Sequence, residues 1–178
     1  MKKRVKQVLG ALFLAVAIAI TQVPASFVEA ISSNADFEKD EDKLVSYTGT
    51  AEAVSVPAGI KTICAEAFAG NPFIRSVTIP SSVEVIENGA FRNCANLESV
   101  TFHDGLRQIG SGAFAMCGKL QQVSFSDTVL SLGAGVFAGD DSLKTIDLGD
   151  NPYFTCENGV LYDRDKTKLI QYISSEKS

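Results

Sequence analysis

The chain repeats itself every 23 residues. The stretch Gly89 to Phe102, GAFRNCANLESVTF, returns at Gly112 to Phe125 as GAFAMCGKLQQVSF, with Ala-Phe, Cys, Leu, Val and Phe kept in step. Rows of 23 written from Val54 give four complete turns, 54–76, 77–99, 100–122 and 123–145; a fifth row opens at Ile146 with IDLGDNPYF and then departs. Repetition at a fixed period of roughly 20 to 50 residues marks a solenoid, because one such unit cannot bury its apolar side alone and each must cover the next.

The columns of that alignment say how a turn is built. Val54, Val77, Val100, Val123 and Ile146 fill one column, and Val56, Ile79, Phe102, Phe125 and Leu148 another two places along. Ser55, Thr78, Thr101, Ser124 and Asp147 lie between them. Period-two alternation of this kind predicts a strand with one buried face. A second apolar pair per turn, Ile60 with Ile63 through Val129 with Leu132, predicts a short extended segment on the opposite side of the coil. Phe68, Phe91, Phe114 and Phe137 then form an aromatic ladder, preceded in three rows by a small Ala67, Ala90 or Ala113 that lets the corner turn tightly and in the fourth by Val136. Turns are expected about 4.8 Å apart, the spacing of paired strands.

A stack of strands exposes an edge at each end, and natural proteins cover such edges. Leu44-Val45-Ser46-Tyr47 followed by Thr48-Gly49-Thr50 reads as a hairpin leading into the first turn. Val160-Leu161-Tyr162, polar DRDKTK and Leu169-Ile170-Gln171-Tyr172 read as a second. The repeat domain is therefore expected over residues 44–174, with 146–174 as its C-terminal cap, and the acidic stretch 31–43 as a separate N-terminal segment.

Ahead of that segment, MKKRVK and the charge-free run Val8 to Ile20 have the form of a secretory signal peptide, residues 1–30, cut after Ala30 or Ala25. The apolar run is 13 residues, shorter than the roughly 20 that span a bilayer. An exported, soluble protein with no stable membrane span is the expectation. Residues 31–178 hold 12 Lys and Arg against 20 Asp and Glu, a net charge of −8, which disfavours nucleic acid and anionic lipid surfaces as partners.

With these columns in view, the chain resembles the BspA-type leucine-rich repeats of bacterial surface and secreted proteins, whose pattern runs L-x-x-V-x-I-P-x-S-V-x-x-I-G-x-x-A-F-x-x-C. Leu97, Val100, Phe102, Ile109, Gly110, Ala113, Phe114 and Cys117 follow it, Ile79-Pro80-Ser81-Ser82-Val83 matches its middle, and FTCENGVLYDRDKTKLIQY resembles the family's closing hairpin. The resemblance covers Asp36 to Tyr172. His103 and Ser126 depart from it at the proline, and Asn71 and Asp140 at the cysteine. It implies a mainly β, right-handed solenoid with little helix and β-hairpin caps at both ends. It further implies export, a role like that of family members that act as adhesins, and no catalytic residues.

The residue types able to carry chemistry have ordinary readings. Cys94 and Cys117 share a column, where reduced thiols serve as small buried hydrophobes, although their spacing leaves a bond open; Cys64 and Cys156 have no column partner. His103, the one histidine, stands at a strand end as a surface residue with no nucleophile predicted beside it. Gly110-Ser111-Gly112 and Gly133-Ala134-Gly135 lack the lysine of a phosphate loop and recur at the repeat period, which points to turn geometry. The acidic run Asp36 to Asp42 and the pair Asp140-Asp141 lack calcium-loop spacing and read as solvated turns. No catalytic, metal or cofactor site is expected.

The candidate site is a surface stripe. Arg75, Glu98, Gln121 and Lys144 share an exposed column, flanked by Thr78, Thr101, Ser124 and Asp147. Solenoids present such columns as continuous binding faces. The expected function is a secreted, monomeric, non-catalytic module that binds an extracellular protein or glycan. A structural spacer at the cell envelope and a polymer-acting hydrolase stand as alternatives from other classes.

Overall fold

A computed structural model describes residues 33–173, so the expected leader lies outside the described residues. Phe37–Asp40 and Lys43–Tyr47 form an antiparallel pair, β1 and β2. The chain then shuttles between two sheets through β3 (Ala53–Ser55), β4 (Thr62–Ile63), β5 (Ser76–Ile79) and β6 (Val85–Ile86). It continues through β7 (Ser99–Phe102), β8 (Gln108–Ile109), β9 (Gln122–Ser124), β10 (Ser131–Leu132) and β11 (Thr145–Asp147). Three last strands follow, β12 (Phe154–Glu157), β13 (Val160–Asp163) and β14 (Leu169–Tyr172).

Sheet A has the order β1-β2-β4-β6-β8-β10 and sheet B the order β11-β9-β7-β5-β3. Each coil gives one strand to each sheet, and all the inter-coil pairings are parallel. Val77 pairs with Val54 and Val100, and Val123 with Val100 and Ile146, so the columns of the sequence are the ladders of sheet B. The architecture is thus a mainly β solenoid of five coils, as the repeat predicts.

The first coil is out of period. Leu44 of β2 pairs with Ile63 of β4, nineteen residues on, so it does not align with rows written at 23. The N-terminal hairpin also differs from expectation. Its turn is Glu41-Asp42, with Glu41 at φ 54°, and its outer strand is β1, drawn from the acidic run. Thr48-Gly49-Thr50 carries the chain from sheet A to sheet B instead. The physical reason is aromatic: Phe37 and Tyr47 are cross-strand partners with ring centroids 4.8 Å apart, and Tyr47 lies 5.2 Å from Phe68. The acidic side chains beside them face solvent. The folded unit therefore begins upstream of the expected boundary at residue 44. At the other end the β13–β14 hairpin forms as expected, and β12 extends it to a three-stranded meander.

The core runs between the two sheets as stacked columns. Ile63, Ile86, Ile109 and Leu132 point inward from sheet A, and Val54, Val77, Val100 and Val123 from sheet B. The Phe68, Phe91, Phe114 and Phe137 rings close one side with centroid steps of 4.5, 5.0 and 5.8 Å and small tilts. Ile74, Leu97, Leu120 and Leu143 add another fully interior column. All four cysteines are free, and Cys94 and Cys117 are wholly buried. Their thiols donate to the carbonyls of Phe68 and Phe91, one coil back, at 3.1 and 3.3 Å. Burial pushes the Cys94 thiol up to about 11 and that of Cys117 higher still.

The glycines of the two G-x-G stretches serve close approach between coils. A Cβ on Gly110 would lie 2.6 Å from the Asn88 nitrogen, and one on Gly133 would lie 2.3 Å from the Ser111 nitrogen. Asp140 overturns its reading as part of a solvated turn. It is 7 % exposed, because it occupies the interior place that Cys94 and Cys117 fill in earlier coils, whereas Asp141 does face solvent.

Candidate functional site: the outward face of sheet B

Alternation turns every second side chain of sheet B away from the core. In register, Ser55, Thr78, Thr101, Ser124 and Asp147 stand side by side across five strands. A parallel row sits two residues earlier: Ala53, Ser76, Ser99, Gln122 and Thr145. The stripe reading missed this second row, although the same period of two that located the first one marks it. Together they make a small, hydroxyl-rich face.

Arg75, Glu98, Gln121 and Lys144 stand at the margin of that face, each just ahead of a strand. Main-chain bonds stack them, Glu98 N–H to the Arg75 carbonyl at 2.8 Å and Lys144 N–H to the Gln121 carbonyl at 2.9 Å. The column extends one coil further than the stripe reading held, to Glu52. Arg75 is clamped between two carboxylates, with Nε 3.2 Å from Glu52 and Nη1 2.9 Å from Glu98. The structure thus gathers all eight predicted residues on one side of the solenoid, and the side chains of Arg75 and Glu98 pair directly.

Between the third and fourth coils the face opens into a shallow depression of about 420 Å³. Ser99, Thr101, Gln122 and Ser124 line it, with Asp104 at the rim and the half-buried Phe102 ring beneath. Phe102 meets Phe114 edge-on at 5.8 Å and Phe125 in a stack at 5.6 Å, so its ring is held rigidly. β9 stops at Ser124 whereas β7 runs on to Phe102, so the pairing of the two strands ends at Thr101 and Ser124. Such a surface offers hydroxyl, amide and carboxylate groups for hydrogen bonding over a fixed apolar floor.

The other singled-out residues fall elsewhere. His103 is exposed beyond β7, its Nδ1 2.9 Å from the Ile79 carbonyl. Among the described residues no three His, Cys, Asp or Glu side chains converge as a metal site would require, and no helix is long and apolar enough to cross a membrane.

Known proteins share this build. A pneumococcal vaccine antigen, PcpA, superposes with a TM-score of 0.62 at 27% identity, covering 71% of this chain and 38% of its own. A leucine-rich repeat protein from Bacteroides ovatus gives a TM-score of 0.52 at 26% identity, over 68% of this chain and 33% of its own. A leucine-rich cell surface protein from Faecalibacterium prausnitzii shares the fold alone, with a TM-score of 0.51 at 19% identity over 86% of this chain and 62% of its own. The chain spans less than two thirds of the length of each of these structures. No curated protein sequence matches significantly. The family model of the BspA-type leucine-rich repeat region matches residues 41–166 in six copies. Its parallel ladders, from Lys43 to Asp147, lie inside that span, and the chain belongs to the BspA-type leucine-rich repeat family.

Proposed function

We propose that this protein is an exported, non-catalytic binding module that recognises an extracellular protein or glycan through the outward face of sheet B. The observation that carries the reading is the depression around Thr101 and Ser124. It opens within a row of short side chains, so a ligand group could seat there while neighbouring coils contact the rest. Export rests on the form of residues 1–30 and on the company of a vaccine antigen and a cell surface protein among structures of this fold.

One observation favours the spacer alternative. Arg75, the kind of residue that anchors interfaces, is already engaged by Glu52 and Glu98, so that column acts within the fold. The test is capture from host-matrix and cell-wall extracts with identification by mass spectrometry, followed by direct binding measurements on the captured component. Thr101→Lys with Ser124→Lys should weaken binding at least about tenfold, since each fills the depression with a charged side chain. Alanine at Lys61, Glu84 and Arg107, exposed positions bordering sheet A, should leave it unchanged. Loss only in the latter set would move the site to sheet A, and no specific ligand for the native protein would favour the spacer.

A further inference from the structure

Asn71, Cys94, Cys117 and Asp140 occupy one repeat column, and the last of them breaks the chemistry of the column in a defined way. In three coils the main-chain N–H at this position bonds to the Phe carbonyl of its own coil: Asn71 to Phe68, Cys94 to Phe91 and Asp140 to Phe137, each at 3.2 Å. In the coil of Cys117 that bond is diverted. The Cys117 N–H points instead to Asp140 Oδ1, at 2.7 Å, which leaves the Phe114 carbonyl without it. The same column has a second rule, in which the thiol of Cys94 donates to Phe68 and that of Cys117 to Phe91, each 26 residues back. Applied to Asp140, the rule assigns the Phe114 carbonyl as acceptor. The other carboxyl oxygen, Oδ2, is buried and has no partner.

An ionised carboxylate has no proton to donate, and its unpartnered oxygen would be buried charge. A carboxylic acid has one O–H, in the place of the thiol. We propose that Asp140 is a proton-operated latch: as the neutral acid it continues the thiol series onto the Phe114 carbonyl and holds the last coil, beside the C-terminal meander, to the coil before it, and on ionising it loosens that end.

The surroundings favour the neutral form. Asp140 borders a space of about 150 Å³ closed by Phe137 and Leu143 of its own coil and by Gln171, Tyr172 and Ile173 at the β14 end. The titratable groups facing it are Asp141 from its own coil, Cys117 from the coil before and Tyr172 from the meander; among the described residues lining that space none is basic. Burial, opposed by the main-chain groups of Cys117 and Met116 and reinforced by Asp141, pushes the Asp140 carboxyl up to about 7. The folded protein then keeps a proton that the unfolded chain has lost, so the fold binds more protons than the unfolded state between pH 3.8 and about 7. Stability falls as pH rises through that window.

The test is the urea midpoint of the full chain between pH 5 and pH 8, read together with hydrogen exchange at the Cys117 and β14 amides after correction for intrinsic rates. The native protein should lose roughly tenfold or more in its folding equilibrium across the range, with protection falling first at Cys117 and β14. Asp140→Asn, whose amide can both accept and donate, should flatten the profile, and Asp140→Cys, which restores the thiol, should flatten it too. A native profile that is level or rises, or an equal fall in Asp140→Asn, overturns the proposal. Should neither variant fold, the carbon-13 carboxyl titration of Asp140 in the native protein decides. A midpoint above about 5.5 supports the latch, and one at or below that value overturns it.

Discussion

Phe91 and Phe114 lie face to face in successive coils, ring centroids 5.0 Å apart and planes within 4° of parallel. Their separation is close to the strand spacing on either side, so ring and backbone ladders keep one pitch. The stack continues through Phe68 to Tyr47 and Phe37 of the N-terminal hairpin, which docks as one more, imperfect, rung.

Removing one interior rung should therefore be far costlier than trimming the surface. Phe114→Ala is expected to destabilise by about 3 to 5 kcal/mol, because both neighbouring rings lose a face and a cavity remains. Gln121→Ala, exposed on sheet B, should stay within about 0.5 kcal/mol. Urea midpoints of the two variants check this, and equal shifts would contradict the assignment of inside and outside.

Gly59 and Gly105 occupy the same repeat column but should respond differently to alanine. Both have positive φ, 88° and 124°, but a Cβ on Gly59 meets nothing within 4 Å, while one on Gly105 would sit 2.2 Å from the Ser81 carbonyl oxygen. Gly59→Ala should cost about 1 kcal/mol from backbone strain alone. Gly105→Ala should cost clearly more, with the added loss visible as faster amide exchange around Ser81 and Ser82.

Arg75→Glu should destabilise by roughly 0.5 to 1.5 kcal/mol and do so in a salt-dependent manner, since it replaces two exposed ion pairs with a run of carboxylates at Glu52, residue 75 and Glu98. Melting in 50 mM and 1 M sodium chloride tests it: the deficit relative to the native protein should shrink at high salt. An identical deficit in both would mean that the charges are not the cause.

Thiol reactivity should separate the four cysteines into two classes. Cys94 and Cys117 are fully buried, donate to main-chain carbonyls and have thiols pushed well above the ordinary range by burial. Cys64 and Cys156 are half-buried with smaller upward shifts. Alkylation of the native protein at pH 8, mapped by peptide mass spectrometry, should label Cys64 and Cys156 first and leave Cys94 and Cys117 unmodified until urea unfolds the chain. Early labelling of Cys94 or Cys117 would contradict the packed column.

Column chemistry was legible in the sequence because a solenoid writes each contact at a constant interval: the neighbour of Phe91 in space is the residue 23 places away, and the same residue types recur wherever the same surroundings recur. The ladders, the inward alternation of Val77 and Ile79, the buried thiols and the outward row through Thr101 all follow from that single period. Contacts that break the period needed the tertiary structure. β2 joins sheet A at an offset of nineteen residues, β1 looks polar because three of its four side chains face solvent, and Asp140 reads as a surface acid until the meander is seen to cover it. The clamp on Arg75 belongs to the same class: adjacency in the column was visible, but which side chains would turn toward each other depends on rotamers and on the local bend ahead of each strand. Local periodicity therefore determined what each coil is made of, whereas packing between unlike pieces at the two ends decided which exceptions are buried, because burial is a property of what lies on top of a residue and the chain's own repeat says nothing about its caps.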